Sequence, residues 1–204
     1  MALATYLDLQ TAVGNWLNRS DLSSRIPEFI ALAQARFNRD IRVPQMLTRD
    51  DLATVSAQYK SVPTGWLETV RYNLLTTPVV SLDYLSAEEL SEQRTRLNTS
   101  AKPKYFGVVG DEFEFLPTPG DAYAAHHLYY TAIDLTTTSW LLTDHPDVCL
   151  FGALCEAEPY VMHDERLSIW QAKLERALKS LDVSGQRREV SATPVQRNNM
   201  RGFE

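Results

Sequence analysis

At 204 residues, with 44% hydrophobic and 23% charged side chains, the chain is long enough for one well-buried core, or for a helical core carrying a smaller inserted lobe. It is too apolar for wholesale disorder. A net charge of -6 and a pI near 5.3 exclude a protein that coats nucleic acid, which needs concentrated Lys and Arg, although local patches stay open. Cys149 and Cys155 share one helical stretch and fit neither a zinc knuckle nor a disulfide framework, so a reducing compartment is expected. The start, Met1 to Asp8, lacks a basic n-region, so no signal peptide is expected and synthesis is assigned to the cytoplasm. The most apolar run, Val148 to Met162, is interrupted by Glu156, Glu158 and Pro159 and is too short to span a bilayer. No membrane partner is expected.

Two amphipathic helices open the chain. Tyr6, Leu9, Val13, Trp16 and Leu17 share one face of the first, with Thr5 as its cap and Gly14 weakening it slightly. Ile26, Phe29, Ile30, Ala33, Phe37 and Ile41 fall within an arc of roughly 120° on the second, with Pro27 in its first turn. Arg36 and Asp40 are four apart, a spacing that suits an ion pair and equally a solvated helix end. From Pro44 to about Leu135, prolines punctuate short β-type runs. Val70 to Leu75, Val79 to Tyr84, Lys104 to Val109, Glu112 to Leu116 and His127 to Ile133 read as strands. Ser86 and Glu89 form a capping-box pattern before a short helix. Gly110-Asp111 suits a type II′ hairpin, and Phe113 and Phe115 alternate with Glu112 and Glu114, predicting one packed face and one wet face.

Helical periodicity returns with Asp144 as a candidate N-cap. The helix that follows is apolar all round, which predicts a central position, and Pro159 should kink it. A last helix, about Asp164 to Leu181, aligns Leu167, Trp170, Leu174, Leu178 and Leu181. Periodicity then stops, and Ser184 to Glu204 holds four arginines against two glutamates, a net +2 in an acidic chain. Such a tail buries too little apolar area to order itself. The expected fold is α+β and mainly helical. Residues 1–43 and 144–183 form a bundle, 44–143 a small inserted β-rich lobe, and 184–204 an extended C-terminal arm.

No catalytic, cofactor-binding or metal-binding residue is expected. His126 and His127 are adjacent in a strand and face opposite ways, which makes them poor joint ligands. His163, Asp164 and Glu165 sit at a helix junction, where capping is the reading. Gly107 to Gly110 lacks the Lys-Ser/Thr of a phosphate loop, and Asp111, Glu112 and Glu114 read as hairpin surface rather than an acid/base cluster. Arg36, Arg39 and Arg42, with Asn38 nearby, make a short basic stripe that admits a helix-turn-helix DNA reader. Glu28 and Asp40 share that helix, so a solvated or subunit-contacting face is the competing reading.

The opening segment reads Thr5, Tyr6, Leu9, Val13 and Trp16, then Arg19-Ser20-Asp21-Leu22. It continues with Ile26-Pro27-Glu28-Phe29-Ile30-Ala31-Leu32-Ala33 and Arg36-Phe37-Asn38-Arg39-Asp40-Ile41-Arg42. This pattern resembles the start of head-to-tail adaptor proteins of tailed bacteriophages. Val62-Pro63, the Gly110 hairpin ending Phe115-Leu116-Pro117-Thr118-Pro119, Tyr129-Tyr130 and His145-Pro146-Asp147 extend the resemblance over nearly the whole chain. It implies a structural protein of the virion neck that docks as a ring, typically of twelve copies, beneath the portal protein. It also implies a channel through which genomic DNA passes without sequence-specific binding. A tail nozzle, tube or fibre protein attaches below. A head-completion stopper or tail-tube component is the alternative position. The resemblance gives the arm a destination in the portal, with Arg187, Arg188, Arg197, Arg201 and Phe203 as its contact residues. Arg36, Arg39 and Arg42 become candidates for contact between subunits.

Overall fold

The first helix starts where two short side chains close on each other. The Thr5 hydroxyl accepts the Asp8 backbone N–H at 3.1 Å, and the Asp8 carboxylate accepts the Thr5 backbone N–H at 3.1 Å. This reciprocal cap opens α1 (Tyr6–Leu17), which ends at Asn18 in the left-handed region. The computed structural model describes residues 3–137, 139–162 and 164–190, without the side chains of 164, 165, 189 and 190. These residues fall into two compact units. One is built from the chain up to Gln45 and from Asp134 onward, and the other is Met46–Ile133.

In the helical unit, Arg19 grips Asp21 through two bonds of 2.7 Å, Leu22 is buried, and α2 (Ile26–Asp40) begins with Pro27 in its first turn. Its inward stripe is Ile26, Phe29, Ile30, Ala33 and Phe37. When the chain returns, the Gln34 side-chain oxygen accepts the Leu135 N–H at 2.9 Å, tying the re-entry to α2. A short α4 (Trp140–Asp144) leads into α5 (Pro146–Val161), which packs against α1, α2, α4 and α6 (Asp164–Val190). Asp144 ends α4 instead of capping α5. Its carboxylate lies 3.7 Å from Arg188, and the cap residue of α5 is His145. Closest approach falls at Gly152, where an added Cβ would sit 2.3 Å from the Phe37 ring. Glycine is therefore what lets α5 cross α2 at this distance.

The strand unit is two four-stranded sheets packed face to face. The first has the order β1 (Leu47–Val55), β8 (Tyr123–Thr131), β3 (Trp66–Leu74) and β4 (Val80–Ser81). The second has the order β2 (Tyr59–Ser61), β7 (Glu112–Leu116), β6 (Tyr105–Val109) and β5 (Asp83–Tyr84). Ala53, Val55, Tyr72, Leu74 and Ala125 of the first sheet meet Phe106, Phe113 and Phe115 of the second. On the far side of the second sheet lies α3 (Ala87–Arg96), capped reciprocally by Ser86 and Glu89. Gly107 makes that contact possible, since a Cβ there would meet Leu90 at 2.3 Å and the Leu85 carbonyl at 2.6 Å.

Three expectations need correcting. The fold is not a mainly helical bundle with a small lobe: about 46% of the described residues are helix and 25% strand, and the strand unit is a two-sheet sandwich. The cause is irregular register. Bulges between Asp50 and Ala53, Trp66 and Glu68, and Thr69 and Arg71 break the two-residue alternation that marks a strand. The arm is not extended from residue 184, because α6 runs on to Val190. Its buried stripe of Trp170, Leu174, Ala177 and Leu181 is continued by Gly185, which approaches Val43 and Pro44. Finally, only part of the charged face of β7 is wet. Glu114 is 9% exposed and forms an ion pair with Arg94 of α3, so the helix covers it.

Candidate functional site

The C-terminal turn of α2 carries the stripe formed by Arg36, Arg39 and Arg42, and two of the three are engaged within their own unit. Arg36 lies 3.7 Å from Asp40 and 3.6 Å from Glu156 of α5, so the helical spacing does produce the pair, and the tertiary fold adds a second anion. Arg42 turns back on the helix end, donating to the carbonyls of Asn38 at 2.9 Å and Ile41 at 2.7 Å. There it satisfies acceptors that the helix leaves open and complements the negative end of the helix dipole. Arg39 is exposed, has no ion pair or hydrogen bond among the described residues, and faces outward from the helix end. A DNA reader would need the whole stripe free, and here it presents one uncommitted guanidinium.

The far end of α6 comes to the same neighbourhood. Arg42, Val43, Pro44, Asp182, Gly185 and Gln186 line one cavity of about 110 Å³. Arg187 and Arg188 follow on the last turn of α6, both exposed, with Arg188 near Asp144. Two sets of residues assigned separately in sequence, the α2 stripe and the start of the arm, are thus adjacent. Arg197, Arg201 and Phe203 lie outside the described residues, as do His163 and the side chains of Asp164 and Glu165.

Both cysteines and His127 are buried. Burial pushes the Cys149 thiol up to about 12 and the Cys155 thiol up to about 11, which suppresses the thiolate each would need as a nucleophile. His127 is 1% exposed and lies between the rings of Tyr72 and Tyr129, with centroids 4.4 and 4.6 Å away. Its Nε2 is 2.9 Å from the Thr69 hydroxyl, which also accepts the Trp66 indole N–H at 3.0 Å. Burial drives its pKa down to about 4, against an opposing pull from Asp50, so the ring is neutral at physiological pH. His126, on the opposite side of the strand, lies 3.1 Å from Asp51. No group of three or more His, Cys, Asp or Glu among the described residues is arranged to hold a metal ion. Sequence reading missed Leu52, which the β1 bulge leaves 91% exposed, and the Arg94 clamp onto Glu114. The run Asp50-Asp51-Leu52-Ala53, with two acids before an apolar pair, is the local signal that alternation fails there.

The helical unit and the two-sheet strand unit define an α+β protein. The chain belongs to the SU10 adaptor protein family, a phage head-to-tail adaptor family, whose profile matches residues 4–198. The match spans both units. Membership makes the chain a structural bacteriophage protein and a virion component, in a family that is generally non-enzymatic and that works through portal and tail contacts. No curated protein matches the chain. Among the described residues no helix is long and apolar enough to cross a membrane.

Proposed function

We propose that the protein forms a ring, twelve-membered in the virion, between the portal and the tail, extending the DNA channel and providing the platform to which a nozzle, tube or fibre protein attaches. The observation that carries this reading is the family match over residues 4–198, nearly the full chain. The net charge of -6 fits a conduit, because a strongly cationic lining would retain the phosphate backbone it must release. In this reading the C-terminal segment contacts the portal through Arg187, Arg188, Arg197, Arg201 and Phe203. Its base is the last turn of α6. Of the α2 stripe, Arg39 contacts the neighbouring subunit, while Arg36 and Arg42 shape the helix end behind it.

Cryo-electron microscopy of the particle neck tests position and copy number together. Density for this chain between portal and tail is the expected result. Density in a stopper or tail-tube layer would move the protein to that part of the neck. For the arm, removal of residues 191–204 leaves Gly185 and its contact with Pro44 in place, so the helical unit keeps its fold. Loss of binding to purified portal rings is expected, and unimpaired binding would remove the arm from the mechanism.

A further inference from the structure

The two outer faces of the strand unit are unlike. The second sheet has a cover: α3 lies across it with Leu90 over Gly107 and Arg94 on Glu114. Among the described residues the first sheet has none of this kind. Its inward positions, Ala53, Val55, Tyr72, Leu74 and Ala125, are buried in the core, so the alternating positions point away from it. On that outer side Arg49 of β1 and Arg71 of β3 both register with Leu128 of β8, so the two cations flank one leucine in a row across three strands. Both are exposed, with no ion pair among the described residues. Exposed aliphatic groups lie further along the same sheet. Leu52 stands out of the β1 bulge at 91% exposure, and Leu75 and Val79, where β3 and β4 meet, are 49% and 60% exposed. Asp51, on the same side, is taken up by His126.

The exterior of the covered side has the complementary character. Asp83 of β5 and Glu88 of α3 flank the Ser86 cap, are exposed, and have no ion pair among the described residues. We propose that the open face of the first sheet docks the α3 side of a second copy of this chain, with Arg49 and Arg71 meeting Asp83 and Glu88. Because the two patches lie on opposite sides of the sandwich, the contact is head-to-tail, and each copy keeps one patch free to receive the next. Repetition of such a contact gives a ring where the rotation closes. The inference deepens the ring reading and rests on it, by assigning the strand unit's part of the subunit contact.

Sedimentation velocity of the concentrated full chain at low salt reads the contact directly. Wild type is expected to associate as concentration rises and to dissociate with added salt. Arg49→Glu with Arg71→Glu places like charges across the junction, as does Asp83→Arg with Glu88→Arg, so each double variant alone should associate about tenfold more weakly or worse. An equimolar mixture of the two should associate again, since the reversed open face of one meets the reversed α3 side of the other. The quadruple variant should do the same by itself. Wild-type-like association of either double variant overturns the assignment. So does a mixture that stays dissociated while both variants unfold like wild type. A wild-type chain that is monomeric at millimolar concentration also overturns it, whereas the adaptor reading is judged separately by where the protein lies in the particle.

Discussion

The helical unit and the strand unit solve the burial problem with different materials. In the first, a small residue lets helices approach, as where Gly152 of α5 admits the Phe37 ring, while Trp16, Phe151 and Trp170 join α1, α5 and α6. In the second, an aromatic stack of Tyr72, Phe106, Phe113 and Phe115 encloses a histidine between two tyrosines. The helical core buries a carboxyl group, Glu158, 1% exposed and accepting the Trp170 indole N–H at 2.8 Å. The strand core instead holds a neutral base that only stays buried while unprotonated. The units should therefore fail differently: one through lost packing, the other through acid.

Phe37→Ala should have the largest effect. Removing a fully buried aromatic from the α2–α5 crossing costs about 3–5 kcal/mol, read as a lower urea midpoint with the loss concentrated in the helical unit's amide protection. Equal loss of protection in Met46–Ile133 would show that the units unfold as one and erase the contrast. Acid acts on the other side. His127 has a folded pKa near 4, below the ordinary 6.5, so between those values the unfolded chain binds the extra proton. The stabilisation is fully present above pH 6.5 and is lost as pH falls toward 4, by roughly 1.4 kcal/mol per pH unit at most. His127→Phe should flatten stability across that window, measured by chemical denaturation of both proteins at several pH values. An unchanged slope would place the acid sensitivity elsewhere.

Gly107→Ala comes next. The new methyl would press on the Leu85 carbonyl and Leu90, and overpacking of this kind costs about 1–3 kcal/mol. Chemical-shift changes should centre on α3 and β6, and Gly152→Ala provides the matching probe in the helical unit. Thr5→Ala is the mildest, about 1 kcal/mol from loss of the hydroxyl that caps α1. Fraying limited to the first turn of α1 is the expected amide-exchange signature.

The legibility of each unit follows from the range of its interactions. The α1 and α3 caps use residues three apart, and the α2 stripe repeats within a turn, so each is written in a handful of neighbours. The Gly110 turn is equally local, and its φ of +61° requires the glycine that the sequence supplies. By contrast, β1 leaves no strand pattern in the sequence, because its bulge displaces Asp51 and Leu52 from any two-residue alternation. Val79 to Tyr84 read as one strand, but Leu82 turns into the core between β4 and β5, which belong to different sheets. The arginine stripe was legible as residues and not as a site, since Glu156, which takes up Arg36, comes from a distant helix.

By itself the sequence determined the helix caps and stripes, the hairpin turn and the adaptor-family pattern, because these depend on side chains within a turn or two of one another. The tertiary structure decided the balance of strand to helix, the extension of α6 to Val190, the commitment of Arg36 and Arg42, and the exposure of Arg49 and Arg71 on the outer face of the first sheet. Those outcomes turn on which surfaces meet across long stretches of chain. A register shift or a missing Cβ changes that choice while leaving almost no trace in the local periodicity.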